Sequence, residues 1–240
     1  MLEGIAEVSE VAPRRRTKWV VKGLFAVVAF VVLCNVAIFA AHVLLRRSID
    51  ANAATAAAAG TTVAAERMPL MNFTVVDGHV WRGAAPSSAG YRALAGAGVT
   101  TVVDLRAEEN LHVDHDALAE LGINRVHLPM RDGQAPSPEL VQRFLDVVSE
   151  SDGTVYVHCG AGVGRTGTMA AAYLVQADGV SGLEAMRRNL AVGPPSLEQL
   201  AFAFGLRDDN VRRPPAPLVA LSRTLDAPRR FWVNVRNSYE

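Results

Sequence analysis

The hydrophobic pattern divides the chain into a long uncharged run, an alanine-rich stretch and a region of short alternating blocks. Residues 23–45 carry no charge, and only Asn35 and His42 among them are strongly polar. As a helix rising about 1.5 Å per residue, such a run is long enough to cross a hydrocarbon core of about 30 Å. Residues 46–67 are alanine-rich without an amphipathic period, which predicts a partly helical linker. From residue 68 the blocks shorten. The runs 72–76 and 79–82 flank Asp77-Gly78 and predict a hairpin with a two-residue turn. Residues 99–105 are almost continuously apolar, the pattern of a strand covered on both faces, and 124–130 and 155–157 predict two further strands.

Helical patterns lie between these strands. Residues 87–97, 114–122 and 137–151 predict helices, with Ser87 and Ser137 as caps, Gly98 beyond the first and Pro138 in the first turn of the third. In 137–151, Leu140, Phe144 and Val148, with Val141 and Leu145 beside them, form an apolar stripe opposite Gln142, Arg143, Asp146 and Glu150. After residue 165 the pattern is helical only. Residues 165–177 open this part, and two capping-box patterns follow, Ser181-Gly182-Leu183-Glu184 and Ser196-Leu197-Glu198-Gln199. Strands interleaved with helices, then helices alone, predict an α/β domain with a central mixed, largely parallel sheet flanked by helices and preceded by one transmembrane helix. The expected organisation is a basic and mostly disordered segment over 1–22, the span over 23–45, the linker over 46–67, the folded domain over 68–210 and a basic Pro-rich tail over 211–240.

Charge changes this picture in two ways. The 24 basic and 24 acidic residues cancel overall, yet residues 68–210 hold ten arginines against seventeen acids, and no lysine occurs after Lys22. An acidic domain without a basic stripe excludes nucleic acid as a partner and disfavours highly phosphorylated polyanions. Five basic residues, Arg14, Arg15, Arg16, Lys18 and Lys22, precede the apolar run, and Arg46 and Arg47 follow it. That bias places the N-terminus in the cytosol and the domain on the other side of the membrane. The run exceeds the roughly 7–15 apolar residues of a cleaved signal peptide, so an uncleaved anchor is expected. The two cysteines, Cys34 in the apolar run and Cys159 in the domain, leave no disulfide for the soluble part.

The chemistry concentrates in residues 154–169, TVYVHCGAGVGRTGTM. A short strand ends at His158 and Cys159, the glycines 160, 162 and 164 allow a tight loop, and Arg165 opens a helix. Successive backbone N–H groups and the positive end of a helix then converge on one point, where a dianionic phosphate fits. Cys159 lies at that point as a stabilised thiolate nucleophile, and the Arg165 fork matches two phosphate oxygens. The run His158-Cys159, five residues, then Arg165-Thr166-Gly167 resembles the signature of the cysteine-dependent protein tyrosine and dual-specificity phosphatases.

Displacing a phosphate ester's alcohol also needs an acid for the leaving oxygen. Asp132, Asp146, Glu150 and Asp152 are the candidates; the last three lie on or after a solvated helix face, whereas Asp132 follows a strand end and should meet the 159–164 loop in the crevice at the carboxyl ends of the strands. The resemblance points the same way: Met130-Arg131-Asp132-Gly133 followed by Ala135-Pro136-Ser137-Pro138 is similar to the general-acid loop of small atypical dual-specificity phosphatases. It departs from the large receptor-type enzymes, which carry Trp-Pro-Asp there.

The resemblance implies a cysteinyl-phosphate mechanism without cofactor or metal, with Cys159, Arg165, Asp132 and Thr166 catalytic and the backbone of Gly160, Ala161, Gly162, Val163, Gly164 and Arg165 cradling the phosphate. It gives His158 a loop-orienting role and Gln199 a supporting one, although helix capping explains Gln199 as well. His112-Val113-Asp114-His115-Asp116 suggests a metal cluster superficially and is read as a helix start, where acids complement the dipole. The uncharged loop interior favours a phosphorylated protein, phosphotyrosine above all, over a phosphoinositide as substrate partner. A silent phosphate-binding module would have lost Cys159, Arg165 or Asp132, and a rhodanese-type sulfurtransferase would lack the Arg165-Thr166-Gly167 continuation.

Overall fold

The computed structural model describes residues 14–57, 68–108, 115–208 and 210–237. It divides into two compact units, the first ending at Phe39 and the second beginning at Ala40. Helix α1 (Arg14–Ala57) runs without interruption through 44 residues. Within it, Trp19–Arg47 is one helical stretch of 29 residues with a mean hydropathy of 2.8 at its most apolar, long and apolar enough to cross a membrane. In the first unit its large side chains, among them Trp19, Phe25, Phe30 and Phe39, are exposed. Residues 14–22, expected to be mostly disordered, are thus helical, and the helix continues eleven residues beyond Arg46 into the alanine-rich stretch. Alanine has the highest helix propensity, so an established helix is extended through it at little cost.

The second unit is built on five strands: β1 (Thr74–Val75), β2 (Val80–Ala84), β3 (Val99–Arg106), β4 (Asn124–Met130) and β5 (Thr154–Cys159). Their spatial order is β1-β2-β5-β3-β4. The β1 strand pairs antiparallel with β2, and the other three pairings are parallel, giving the mixed, largely parallel sheet expected. The turn between β1 and β2 is wider than two residues: Val76 N donates to Val80 O at 2.9 Å, and Asp77 Oδ1 accepts from His79 N and Val80 N. The Asp77 side chain thus replaces the tight backbone turn.

Side-chain alternation sends successive strand residues to opposite faces. Val102 of β3 and Tyr156 of β5 face one side, with Leu94 of α2 (Ser88–Gly96) and Leu118 of α3 (His115–Glu120). Val103, Leu105, Leu128, Val155 and Val157 face the other. There they meet Val141, Phe144 and Val148 of α4 (Pro138–Glu150), Met169 and Ala172 of α5 (Gly164–Gln176), Ala185 of α6 (Gly182–Val192) and Phe202 of α7 (Leu197–Gly205). Ser87, Ser137, Ser181 and Ser196 all cap their helices, but only Ser196 and Gln199 complete a reciprocal capping box. The segment read as a Pro-rich tail contains helix α8 (Ala216–Asn237). Pro214, Pro215 and Pro217 lie before or in its first turn, where a missing N–H costs nothing. Its Ser222 is buried against the start of α7, accepting from Glu198 N at 2.9 Å.

Candidate functional site

Because β5 is inserted between β2 and β3, the carboxyl ends of β3, β4 and β5 lie side by side, and the segments that leave them share one crevice. The β5 segment is the loop 160–163. Its carbonyl groups are tied from outside: Gly160 O accepts from Ala85 N (3.0 Å), Ala161 O from Asn72 Nδ2 (2.8 Å), and Gly162 O and Val163 O from Arg82 Nη2 (2.8 and 3.3 Å). In a trans peptide an outward carbonyl turns the following N–H inward. Gly162 N accordingly reaches Cys159 Sγ at 3.3 Å. Val163 precedes α5 without giving it a side-chain cap, so the first amides of that helix also remain for an anion.

Two side chains close this cradle. Cys159 is buried at the end of β5. Arg165, also buried, directs Nη1 and Nη2 to the two carboxylate oxygens of Glu108 at 2.8 and 2.7 Å, and Nη1 to Met130 O at 3.2 Å. Its Nε lies 3.6 Å from Asp132 Oδ1. Asp132 leaves β4 with a side chain about one third exposed, facing the guanidinium. The structure thus brings Cys159, Arg165 and Asp132 to one place.

The Asp132 segment is fastened to the start of α7. Ser196 Oγ donates to Gly133 O (2.7 Å), Gln199 Nε2 to Gln134 O (3.2 Å), and Ala135 N to Glu198 Oε1 (3.0 Å). Gln199 Oε1 also caps Ser196 N, so Gln199 is both helix cap and brace. The same side chain packs on Gly164, where a Cβ would come within 2.4 Å of Oε1. Thr166 is fully buried, and among the described residues its Oγ1 makes no hydrogen bond, to Cys159 or to any other group.

His158 lies behind the loop, fully buried. Its Nδ1 donates to Cys159 O at 3.2 Å and lies 3.9 Å from Asp104 Oδ1. Burial pushes its imidazole down to about 4, Asp104 offsetting only part of that, so the ring is neutral at physiological pH. Asp104 is itself clamped by Arg106 and Arg125 at 2.8 and 2.7 Å. Burial would raise its carboxyl, but the Arg106 and Arg125 hydrogen bonds outweigh that and hold it well below the usual carboxylate range.

Sequence reasoning missed four contributors: Glu108, Arg82, Glu198 and Asn189, whose Oδ1 accepts from Arg82 Nη1 at 3.3 Å. Glu108 follows the end of β3, and the strand-end argument that selects Asp132 would have reached it. Arg82 and Asn189 carry no such signal, because their burial depends on the β2–β5 register and on how α6 packs. His112 and Asp114 of the histidine-rich run lie outside the described residues. Among the described residues, no group of three or more His, Cys, Asp or Glu side chains is arranged to hold a metal ion.

The tyrosine-protein phosphatase cdc-14 of Caenorhabditis elegans is 33% identical over 121 residues, 47% of this chain and 17% of that protein. The human dual specificity protein phosphatase CDC14C is 32% identical over 102 residues, 40% of this chain and 22% of that protein. The chain thus spans about a fifth of the length of these relatives. Among solved structures, the core catalytic domain of the PP-IP phosphatase SIW14 from S. cerevisiae shares the fold, with a TM-score of 0.51 and 20% identity over 59% of this chain and 88% of that one. Residues 45–204 match the family described as a DSP-PTPase phosphatase fused to NAD+ kinase. The chain belongs to that family, and residues 45–204 form a domain of the DSP-PTPase type.

Proposed function

We propose that this protein hydrolyses phosphate monoesters on proteins, phosphotyrosine first and phosphoserine or phosphothreonine as further substrates, through a cysteinyl-phosphate intermediate. The observation that carries this reading is the convergence of Cys159 Sγ, the Arg165 guanidinium and the Asp132 carboxylate on one cradle of inward amides. The Cys159 thiolate attacks phosphorus as the ester P–O bond breaks, and Asp132 gives its proton to the leaving oxygen. Water then attacks the cysteinyl-phosphate. Asp132 takes a proton from it, the P–S bond breaks, and thiolate and inorganic phosphate are released. Arg165 and the amides of Gly160 to Arg165 hold the equatorial oxygens throughout. Thr166 supplies its unspent hydroxyl beside the departing sulfur, His158 orients the loop through Cys159 O, and Gln199 braces the Asp132 segment.

An uncharged loop interior supports a singly phosphorylated group over a polyphosphorylated lipid head. Residues 23–45 anchor the chain in a membrane, with the N-terminus cytosolic and the phosphatase domain on the opposite side, as the flanking charges favour. The test is the full chain in nanodiscs, assayed without added metal against phosphotyrosine peptides and phosphoinositides, with Cys159→Ser in parallel. Hydrolysis of the peptides alone, abolished in Cys159→Ser, is expected. Preference for the phosphoinositides would reverse the substrate assignment, and full activity of Cys159→Ser would overturn the mechanism. Protease protection of the domain in sealed vesicles tests the sidedness.

A further inference from the structure

Arg82, which holds the loop 160–163 through Gly162 O and Val163 O, also lines a cavity of about 380 Å³ that the phosphatase mechanism does not use. Its walls include Phe73 and Val75 at β1, Ala171 and Leu174 of α5, and Val192 of α6. Its polar side chains are Arg46, Asn72, Thr74, Arg82, Arg188 and Asn189, and among the described residues no aspartate or glutamate lines it. Arg82 and Asn189 are 3% and 2% exposed, yet among the described residues Arg82 Nε and Asn189 Nδ2 find no hydrogen-bond partner. Among the described residues no carboxylate forms an ion pair with Arg82, whereas Arg188 has Glu184 at 3.0 Å. Burial lowers the Arg82 guanidinium only to about 10, so it stays charged at neutral pH. A buried cation and a buried amide with unspent donors, in a cavity whose remaining wall is largely hydrocarbon, are satisfied by an anion that carries an apolar body. The volume lies within the range of small-molecule sites, roughly 300–1,000 Å³.

We propose that this cavity binds a single-chain anionic amphiphile, its carboxylate or phosphate head against Arg82, Asn189 and Arg188 and its hydrocarbon along Phe73, Val75, Ala171 and Leu174, and that occupancy lowers phosphatase turnover. The coupling runs through Arg82, which holds Gly162 O and Val163 O. A charged acceptor competes for those donors more strongly than a neutral carbonyl does. It also offsets the positive charge that Arg82 directs at Cys159. The effect on turnover rests on the phosphatase reading above, whereas the binding itself does not.

The experiment uses the full chain in phosphatidylcholine nanodiscs and a photoreactive dodecanoic acid, with the labelled peptides mapped. Labelling is expected on the segments holding Phe73–Val75 and Ala171–Leu174, unchanged in Cys159→Ser, so that binding is read whether or not the enzyme turns over. Dodecyl phosphate added from solution, or lysophosphatidate placed in the bilayer, should compete. Dodecanol and dodecyltrimethylammonium should compete at least tenfold less well, and inorganic phosphate should not compete at equal concentration. Ala171→Trp, which fills the cavity, and the surface change Arg188→Glu should each reduce labelling about tenfold. Labelling that ignores head-group charge, that inorganic phosphate displaces, or that survives Arg188→Glu overturns the site. Labelling at full occupancy with turnover of phosphotyrosine peptides unaltered overturns the coupling.

Discussion

Glu108 holds both terminal nitrogens of Arg165, at 2.8 and 2.7 Å, and so fixes which edge of the guanidinium faces the Cys159 cradle. With Met130 O on Nη1 as well, the edge left for a ligand is the one formed by Nε and the second Nη2 hydrogen. That edge is the two-pronged fork that matches phosphate oxygens. Glu108→Gln keeps the volume but loses a charged acceptor on one side of Arg165. The expected result is a fall in kcat/KM of about tenfold or more on phosphotyrosine peptides, with the fold intact by circular dichroism. Unchanged kcat/KM would mean that Arg165 is oriented by Met130 and Asp132 alone.

Asp132 lies against Arg165 Nε, and its segment is tied at three points to the start of α7. In the proposed mechanism Asp132 is the acid for the leaving oxygen, a role that matters most where that oxygen departs reluctantly. Asp132→Asn should cost about 10² or more in kcat on a phosphoserine or phosphotyrosine peptide, and markedly less on p-nitrophenyl phosphate. An equal loss on both substrates would indicate a binding role instead. Pre-steady-state measurement of p-nitrophenol release distinguishes the two, because phosphorylation of Cys159 and its hydrolysis are then resolved.

The elements of the second unit were legible wherever local chemistry decides them. Strand β4 occupies the expected residues 124–130, and each helix from α4 to α7 starts at or beside its expected serine or loop residue. Helix α8 was not legible, because its prolines and arginines read as a tail and its anchoring by Ser222 on Glu198 N is tertiary. The cradle was legible for a different reason. His158-Cys159 and Arg165-Thr166-Gly167 are contiguous, so their placement needs only a strand, a turn and a helix. Arg82 is 77 residues from Cys159 in sequence, and only the register that sets Arg82 opposite Val157 brings it beneath the loop. Local pattern cannot show a contact that depends on which strand lies next to which.

His158 ties stability to pH. Its folded-state value, about 4, is below the 6.5 of an ordinary histidine, so between these values the unfolded chain binds a proton that the native chain refuses. The stabilisation is fully present above about pH 6.5 and is lost as the pH falls toward 4, by roughly 3 kcal/mol in all. Asp104, whose carboxyl is depressed, adds a further loss only below the ordinary carboxylate range. Thermal unfolding of the full chain should therefore show Tm falling from pH 6.5 to 4.5. His158→Asn, which keeps a donor near Cys159 O without the titration, should flatten that slope. A wild-type Tm independent of pH across this window would show that His158 is already protonated in the folded protein.

Gly162 and Gly160 separate the geometry of the cradle from its mere glycine content. Gly162 has φ +74°, a conformation that costs a residue with a side chain roughly 1–2 kcal/mol. A Cβ there would also come within 2.2 Å of the Gly83 carbonyl carbon and 2.4 Å of Ala84 N. Neither atom can retreat, because Gly83 and Ala84 pair with His158 and Cys159 across β2 and β5, and Tyr156 Oη donates to Ala84 O at 2.7 Å. The loop must move instead, breaking the Gly162 N to Cys159 Sγ contact and the Arg82 hydrogen bond to Gly162 O. At Gly160 a Cβ meets only Arg165 Nη2, at 3.9 Å. Gly162→Ala should lower kcat/KM about 10²-fold or more, whereas Gly160→Ala should stay within about fivefold of wild type. Equal losses in the two variants would show that the loop needs flexibility rather than this one conformation, and steady-state kinetics on a phosphotyrosine peptide, alongside Tm for each variant, decides between them.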